Sequence, residues 1–236
     1  AMDSLLEQTV ADFELIISDN ASTDGTFALA QEYARKDPRV RVCRNSENLG
    51  AVNNFKKVLE LASGEYFMWT AADDAWHPEC LEVLGRELAA HPDALAALSG
   101  VRVVDVDGGK DRDLRFQSQA DPTVKSRLAA SCLFMSSKKL NYFICGLMRR
   151  ELLARNVGFF EMGFTSDRLF MCLMALAFPL RYVDKVLFEK TRQRPYDLRH
   201  ASDPHGRAIA RARSAGIYYQ PLVYLCKNIP RCTDIS

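Results

Sequence analysis

Runs of apolar residues alternate along the first half of the chain with segments of helical periodicity. Residues 13–18 (FELIIS) are mostly apolar, as in a strand buried on both faces. A helical pattern with apolar positions between 27 and 34 follows it. The alternation continues with a strand at 39–43, a helix at 51–62, a strand at 66–70, a helix from Pro78 and, at 94–105, a strand pair or one long strand. The pattern predicts an α/β fold, a mainly parallel sheet with helices on both faces.

The second half of the chain is less regular. Its pattern predicts a helix near 121–136, a strand over 142–148, a helix near 165–177 and strands at 180–184 and 186–191. Residues 207–228 combine apolar and arginine-rich positions. They fit a terminal helix packed on its own domain, or an amphipathic segment in peripheral contact with a membrane or a partner.

Composition narrows the class of protein. The chain has 236 residues, of which 48% are hydrophobic and 26% charged, as in folded globular proteins. Lys and Arg number 31 against 30 acids, so a nucleic-acid partner is not expected. There is no apolar run of membrane-spanning length and no signal-peptide pattern. The 7 scattered cysteines indicate free thiols in a reducing compartment, so we expect a cytoplasmic protein.

Acidic residues follow two of the predicted strands. Asp19 ends the first, and Asp73 and Asp74 come shortly after the strand at 66–70. Open parallel sheets bind ligands at the carboxyl ends of their strands. Adjacent carboxylates suit a divalent cation, which can bridge to phosphate, although either acid can instead cap the helix that begins at Pro78.

Three segments together resemble a known family. They are FELIISDNASTDGT (13–26), NLGAVNN (48–54) and GEYFMWTAADDAWHP (64–78), and they resemble family 2 glycosyltransferases, which use nucleotide-diphosphate sugars and have the GT-A fold. The resemblance covers about residues 3–195, and the Tyr-Phe-x-Trp sequence before the acids resembles a bacterial subgroup that acts in surface-polysaccharide or similar pathways. It implies a glycosyltransferase domain at 2–200, with a nucleotide-binding part at 2–105 and an acceptor part at 106–200. Residues 201–236 would be a C-terminal extension.

The resemblance also implies roles for single residues in donor binding. Asp19 matches the acid that recognises the nucleotide base, with Asn20 beside it, although Asp19 can instead order its loop through Ser22 or Asp24. Asn54 matches a position that contacts ribose or caps the loop. Asp73 matches the last acid of the D-x-D element, which holds Mn²⁺ or Mg²⁺ on the diphosphate. Asp74 would ligate the same ion through water or hold the loop.

Asp167 matches the base that deprotonates the acceptor hydroxyl, although Asp167 or Ser166 can also cap the following helix. Basic residues are further candidates, with a solvated surface role as the alternative for each. Arg149, Arg192 and Arg194 are candidates for phosphate or acceptor charge, and His200 and His205 for a further metal contact. For Trp69 and Trp76 we favour packing over sugar stacking, although Trp76, beside the acids, could do either.

The sequence departs from the family pattern in two places. Ala71 stands where the first acid of D-x-D is expected, which predicts weaker metal binding or a different metal dependence. The usual first strand is also missing, which predicts weak nucleotide binding or a homodimer that covers the gap. We therefore expect an inverting glycosyltransferase that uses a nucleotide-diphosphate sugar, with UDP-sugars favoured, and a saccharide or lipid-linked hydroxyl acceptor. The alternative is a degenerate, non-catalytic copy that acts as a binding module.

Overall fold

The computed structural model describes residues 1–105, 109–115, 127–132, 140–157, 166–192 and 221–226. The helices in these ranges are α1 (Met2–Leu6), α2 (Thr26–Lys36), α3 (Gly50–Leu61), α4 (Cys80–Ala90), α5 (127–132), a 3₁₀ helix (Leu140–Cys145), α6 (Arg150–Asn156) and α7 (Ser166–Ala177). The strands are β1 (Phe13–Asp19), β2 (Val40–Arg44), β3 (Tyr66–Ala71), β4 (Ala75–Trp76), β5 (Ala96–Asp105), β6 (Arg112–Leu114), β7 (Leu147–Arg149), β8 (Leu180–Arg192) and β9 (Pro221–Cys226).

These strands form one sheet in the order β2-β1-β9-β3-β7-β5-β8-β4, with β6 paired to β5. The α/β architecture is as predicted, but the pairing is mixed. The pairs β1–β2 and β5–β8 are parallel, whereas β9 and β7 run antiparallel to both of their neighbours. Since β9 is antiparallel to both β1 and β3, those two strands run in the same direction.

The position between β1 and β3 is occupied by β9, from the far end of the chain. Its residues pair with Phe13–Ile17 on one side and Met68–Ala71 on the other. The helix considered for residues 207–228 is therefore wrong at 221–226, where the backbone forms a strand. The facing edges of β1 and β3, which the absence of a first strand was expected to leave unpaired, are hydrogen-bonded to β9.

The long pair β5–β8 extends beyond the other strands. The strands predicted at 180–184 and 186–191 are one strand, β8, with a register shift where Ser99 pairs Val183 and Gly100 pairs Val186. This bulge bends the pair. After β3 the chain turns and β4 pairs with β8, joining Ala75 to Glu189. The end of β8 is thereby placed against the turn that contains Asp73 and Asp74.

Other element boundaries also differ from the sequence prediction. The strand predicted over 142–148 is a 3₁₀ helix over Leu140–Cys145, and only Leu147–Arg149 form a strand. This short strand pairs with two residues at the start of β3 and two at the start of β5, so nothing extends its ladder further. Of the helix predicted near 121–136, the described residues 127–132 are helical.

The core beneath the carboxyl end of β3 is aromatic. Trp69 is fully buried and packs edge-on against Phe67 and Phe170, with ring centroids 5.0 and 5.9 Å away. Trp76 is also buried and stacks on Phe188 at 5.2 Å. Both tryptophans are packing residues, as the sequence favoured. Among the described residues, no helix has the length and apolarity needed to cross a bilayer.

Candidate active site

The acids predicted from the sequence meet at one edge of the sheet. Ile17 of β1 and Thr70 of β3 both pair with Leu222, so Asp19 lies level with Ala72, the residue before Asp73. Two strand spacings separate β1 from β3, which corresponds to about 10 Å. This distance is of the order of the length of a nucleoside diphosphate.

Asp19 is fully buried at the end of β1. Its carboxylate accepts a hydrogen bond from the backbone N–H of Ser22, at 3.3–3.4 Å, and pairs with the Arg44 guanidinium at 3.1 Å. The loop between Asp19 and Ser22 contains Ala21 with a φ of 61°, a left-handed conformation that is costly for a residue with a side chain. The loop-ordering role of Asp19 is thus formed, and in this conformation its carboxylate is not exposed to a ligand.

Asparagine side chains tie the end of β1 to the loop after β2 and to α3. Asn54 is fully buried; it accepts hydrogen bonds from Ser18 Oγ at 2.7 Å and Asn45 Nδ2 at 2.9 Å, and donates to the Ser18 carbonyl at 3.1 Å. Asn20 donates to Asn48 at 2.7 Å and accepts from Asn45 at 2.9 Å. In this arrangement the polar atoms of Asn54 and Asn20 hold the loops together.

Asp73 and Asp74, called the acidic pair below, converge on one lysine. Lys190 Nζ of β8 lies 2.9 and 3.0 Å from the two carboxylate oxygens of Asp74 and 3.4 Å from Asp73 Oδ1. The backbone N–H of Thr191 also donates to Asp74, at 3.2 Å. The side chain of Asp74 is 1% exposed, that of Lys190 17% and that of Asp73 47%. Of the pair, Asp73 is therefore the acid that faces solvent.

The environment shifts the protonation of these groups. Burial raises the pKa of Asp74 to about 6; the Lys190 ammonium opposes the rise and the Asp73 carboxylate adds to it. Burial would lower the pKa of Lys190, but the carboxylates of Asp74 and Asp73 outweigh it and hold that pKa above its usual value. Lys190 is therefore charged at neutral pH.

The acidic pair does not offer a site at which both carboxylates bind one divalent cation. Both oxygens of Asp74 already accept from Lys190, and Ala71 supplies no third carboxylate. Within the described ranges, no group of three His, Cys, Asp or Glu side chains could hold a metal. At an effective dielectric constant near 20, a divalent ion about 4 Å from an ammonium is repelled by roughly 8 kcal/mol. Only Asp73 keeps the exposure that a ligand to an added ion needs.

A mostly apolar pocket opens beside the acidic pair. Asp74 and Lys190 form its polar side, and its other lining residues include Phe55, Trp69, Tyr142, Ile144, Cys145 and Phe188. Cys145 is half-buried, and this burial raises the pKa of its thiol, which the nearby Asp74 carboxylate raises further. The thiol is therefore protonated at neutral pH. The pocket gives the edge a concave, mostly apolar surface next to charged groups, as binding sites commonly have.

Arg149 is not brought to this edge. It pairs with Tyr66, the first residue of β3, about 17 Å from the carboxyl end of that strand. Its guanidinium donates to the carbonyls of Leu88, at 2.6 Å, and Ala94, at 3.1 Å, at the end of α4. The expectation that Arg149 contacts phosphate is therefore not supported by its position, because its donors stabilise a helix end at the opposite edge.

Arg192 and Asp167 are placed by their backbones alone. Arg192 ends β8, one residue after Thr191, and so begins at the edge that carries the acidic pair. Asp167 lies in the first turn of α7, and Phe170 of the next turn packs on Trp69. Arg194, His200 and His205 lie outside the described residues.

Three residues of this edge were missed by sequence reasoning: Arg44, Asn45 and Lys190. Arg44 and Asn45 directly follow a predicted strand, and their polarity at that strand end was a usable signal. Lys190 carried no signal, because only the pairing of β4 with β8 brings it to the acidic pair.

Comparison with known proteins decides the family. The model of "Glycosyl transferase family 2" matches residues 1–157. The chain belongs to glycosyl transferase family 2. The Bacillus subtilis protein TuaG, named as a putative teichuronic acid biosynthesis glycosyltransferase, is 40% identical over 79 residues, 34% of this chain and 31% of TuaG. Mycobacterium tuberculosis Rv1520 is 38% identical over 116 residues, 48% of this chain and 34% of that protein. The chain spans about a third of the length of these relatives.

The fold is that of the GT-A glycosyltransferases, as the sequence predicted. S. aureus TarS, solved in complex with UDP, superposes with a TM-score of 0.61 at 22% identity, covering 81% of this chain and 55% of TarS. The prediction of a family 2 glycosyltransferase domain is thereby confirmed.

Proposed function

We propose that this chain transfers a sugar, with inversion, from a nucleotide-diphosphate sugar to a hydroxyl group of a saccharide or lipid-linked acceptor. UDP-sugars are the favoured donors. One observation carries the proposal. The Asp19 loop and the acidic pair lie side by side, about 10 Å apart, at the carboxyl ends of β1 and β3. Family membership supplies the reaction class.

We propose that Asp167 takes the proton of the acceptor hydroxyl. In an inverting transfer the acceptor oxygen attacks the anomeric carbon as the bond from that carbon to the diphosphate oxygen breaks. The acceptor proton passes to a carboxylate as the new bond forms, because the free hydroxyl has a pKa far above neutral. The nucleoside diphosphate leaves with the bonding electrons. The position of Asp167 at the start of α7, whose Phe170 packs on Trp69, supports this role.

The named relatives suggest a biological setting. TuaG is named for teichuronic acid biosynthesis, and another B. subtilis relative, EpsH, is a putative glycosyltransferase that is 30% identical over 122 residues. We infer synthesis of a cell-surface polysaccharide, with the donor used on the cytoplasmic side. We propose peripheral membrane contact as well; a homodimer loses its argument, because β9 already pairs with the edges of β1 and β3 that it was expected to cover.

The first measurement is the Kd of UDP and of GDP. The second is the rate at which UDP or GDP is released from UDP-glucose, UDP-N-acetylglucosamine and GDP-mannose, with water as acceptor. We expect UDP binding and UDP release by the wild type. Asp167→Asn should reduce release at least about 100-fold with the UDP Kd unchanged. Asparagine caps helices as well as aspartate, so a pure capping role predicts no change. The control is Asp93→Asn, an exposed acid beyond the end of α4.

The other outcomes separate the competing functions. Saturable UDP binding without release by the wild type would identify a non-catalytic binding module. No binding of UDP or GDP at millimolar concentration would refute the donor proposal.

A further inference from the structure

Lys190 occupies the centre of the acidic pair. Three carboxylate oxygens converge on its Nζ, two from Asp74 at 2.9 and 3.0 Å and one from Asp73 at 3.4 Å. A divalent ion bridging the same two side chains would lie at nearly the same point, since its oxygen ligands lie 2.0–2.6 Å away. The ammonium and a bridging ion therefore exclude each other.

The lysine is held there by the fold. It lies on β8 between Glu189, which pairs with Ala75 of β4, and Thr191, whose N–H donates to Asp74. Its side chain is 17% exposed, and Asp74 is 1% exposed. A covalently tethered cation is present at a high effective concentration. A metal ion from solution must displace it and leave an ammonium without its partners at a largely buried position.

We propose that Lys190 is the resident cation of the acidic pair, that it excludes a divalent ion from bridging Asp73 and Asp74, and that nucleoside diphosphate binding here needs no divalent ion. The last clause rests on the proposed function, whereas the first two concern the chain alone. Lys190 is thus a positioning residue, which fixes Asp73 and Asp74 and offsets their negative charge at the edge where a diphosphate would bind.

The first experiment measures metal binding without any substrate. Mn²⁺ is titrated into the wild type, Lys190→Gln and Lys185→Gln, and the concentration of unbound Mn²⁺ is measured by electron paramagnetic resonance. Glutamine can still donate to Asp74 but carries no charge. Lys185 lies on the same strand, 3.9 Å from Glu79, and serves as the control. We expect no saturation of the wild type or the control below about 1 mM, and at least about tenfold tighter Mn²⁺ binding by Lys190→Gln.

The second experiment measures UDP binding by calorimetry, in EDTA and in Mn²⁺. The wild-type Kd should agree within about threefold between the two conditions. For Lys190→Gln, UDP should bind weakly in EDTA and recover when Mn²⁺ fills the vacated position. Circular dichroism shows whether each variant is folded.

Each outcome decides the proposal. Tight Mn²⁺ binding by the wild type, or UDP binding that requires Mn²⁺, would overturn it and leave the glycosyltransferase proposal standing. Unchanged Mn²⁺ affinity in a folded Lys190→Gln would also overturn it. If Lys190→Gln does not fold, the two wild-type measurements decide. Absence of UDP binding under every condition would refute the proposed function, while the Mn²⁺ titration still tests the role of Lys190.

Discussion

Asn54 offers a sharp test of whether this edge is built by buried hydrogen bonds. It is fully buried in α3 and makes three hydrogen bonds, two with Ser18 of β1 and one with Asn45. Asn54→Ala removes all three and leaves the Ser18 hydroxyl without this acceptor. Asn45 Nδ2 keeps its bond to Asn20, at 2.9 Å, so its loss is only partial.

The expected cost follows from these contacts. Leaving a buried polar group unsatisfied costs about 1–3 kcal/mol, and truncating the side chain adds a small cavity. With Ser18 losing two contacts and Asn45 one of two, we expect Asn54→Ala to lower the free energy of unfolding by about 2–4 kcal/mol. Asn53→Ala is the matched control: Asn53 is the exposed neighbour on α3 and donates to the Leu49 carbonyl. It should change stability by less than about 0.5 kcal/mol.

Urea unfolding at neutral pH, followed by tryptophan fluorescence, measures both variants. A loss for Asn54→Ala within about 0.5 kcal/mol of the control would refute the buried-network reasoning. If that small loss came with a UDP Kd at least about tenfold weaker, Asn54 would be a ligand contact, as the family resemblance implies.

Three further variants test other parts of the account. Burial would raise the pKa of Glu14, but hydrogen bonds from Ser63 and Arg41 outweigh it and hold that pKa below its usual 4.5. The ionised carboxylate therefore stabilises the fold above that pH, and this stabilisation is lost as the pH falls through the pKa of the folded state. Glu14→Gln should therefore cost about 1–2 kcal/mol at pH 7, and the gap to the wild type should narrow in acid unfolding curves. Arg149→Met should cost about 1–3 kcal/mol with the UDP Kd unchanged; a tenfold weaker Kd at unaltered stability would return Arg149 to the site. Val223→Pro, in the middle of β9, should cost about 3 kcal/mol or more in urea unfolding, and no effect would mean that β9 does not pair as described.

The sequence predicted the elements whose signal is local. The apolar runs at β1 and β3 and the periodicities of α2, α3 and α7 mark their positions to within a few residues. The acids at the ends of β1 and β3 were predictable as neighbours, because strands that run in the same direction end at the same edge.

What the sequence could not predict depends on contacts between distant residues. Pro221, which would interrupt a helix over 207–228, and Val223 were local signs of a strand at 221–226, but only the pairing with β1 and β3 decides where that strand lies. The role of Arg149 follows from carbonyls more than 50 residues away in the chain. Lys190 looks like an ordinary surface lysine in the sequence, and its function follows from a contact with Asp74, 116 residues earlier.

We propose that the donor binds at the carboxyl ends of β1 and β3, and a structure of crystals soaked with UDP tests this most directly. We expect the diphosphate to lie beside the Lys190 ammonium, and the uracil to lie against residues 20–25, beside Asp19. UDP bound at the opposite edge near Arg149, or at any surface away from the carboxyl ends of β1 and β3, would contradict it.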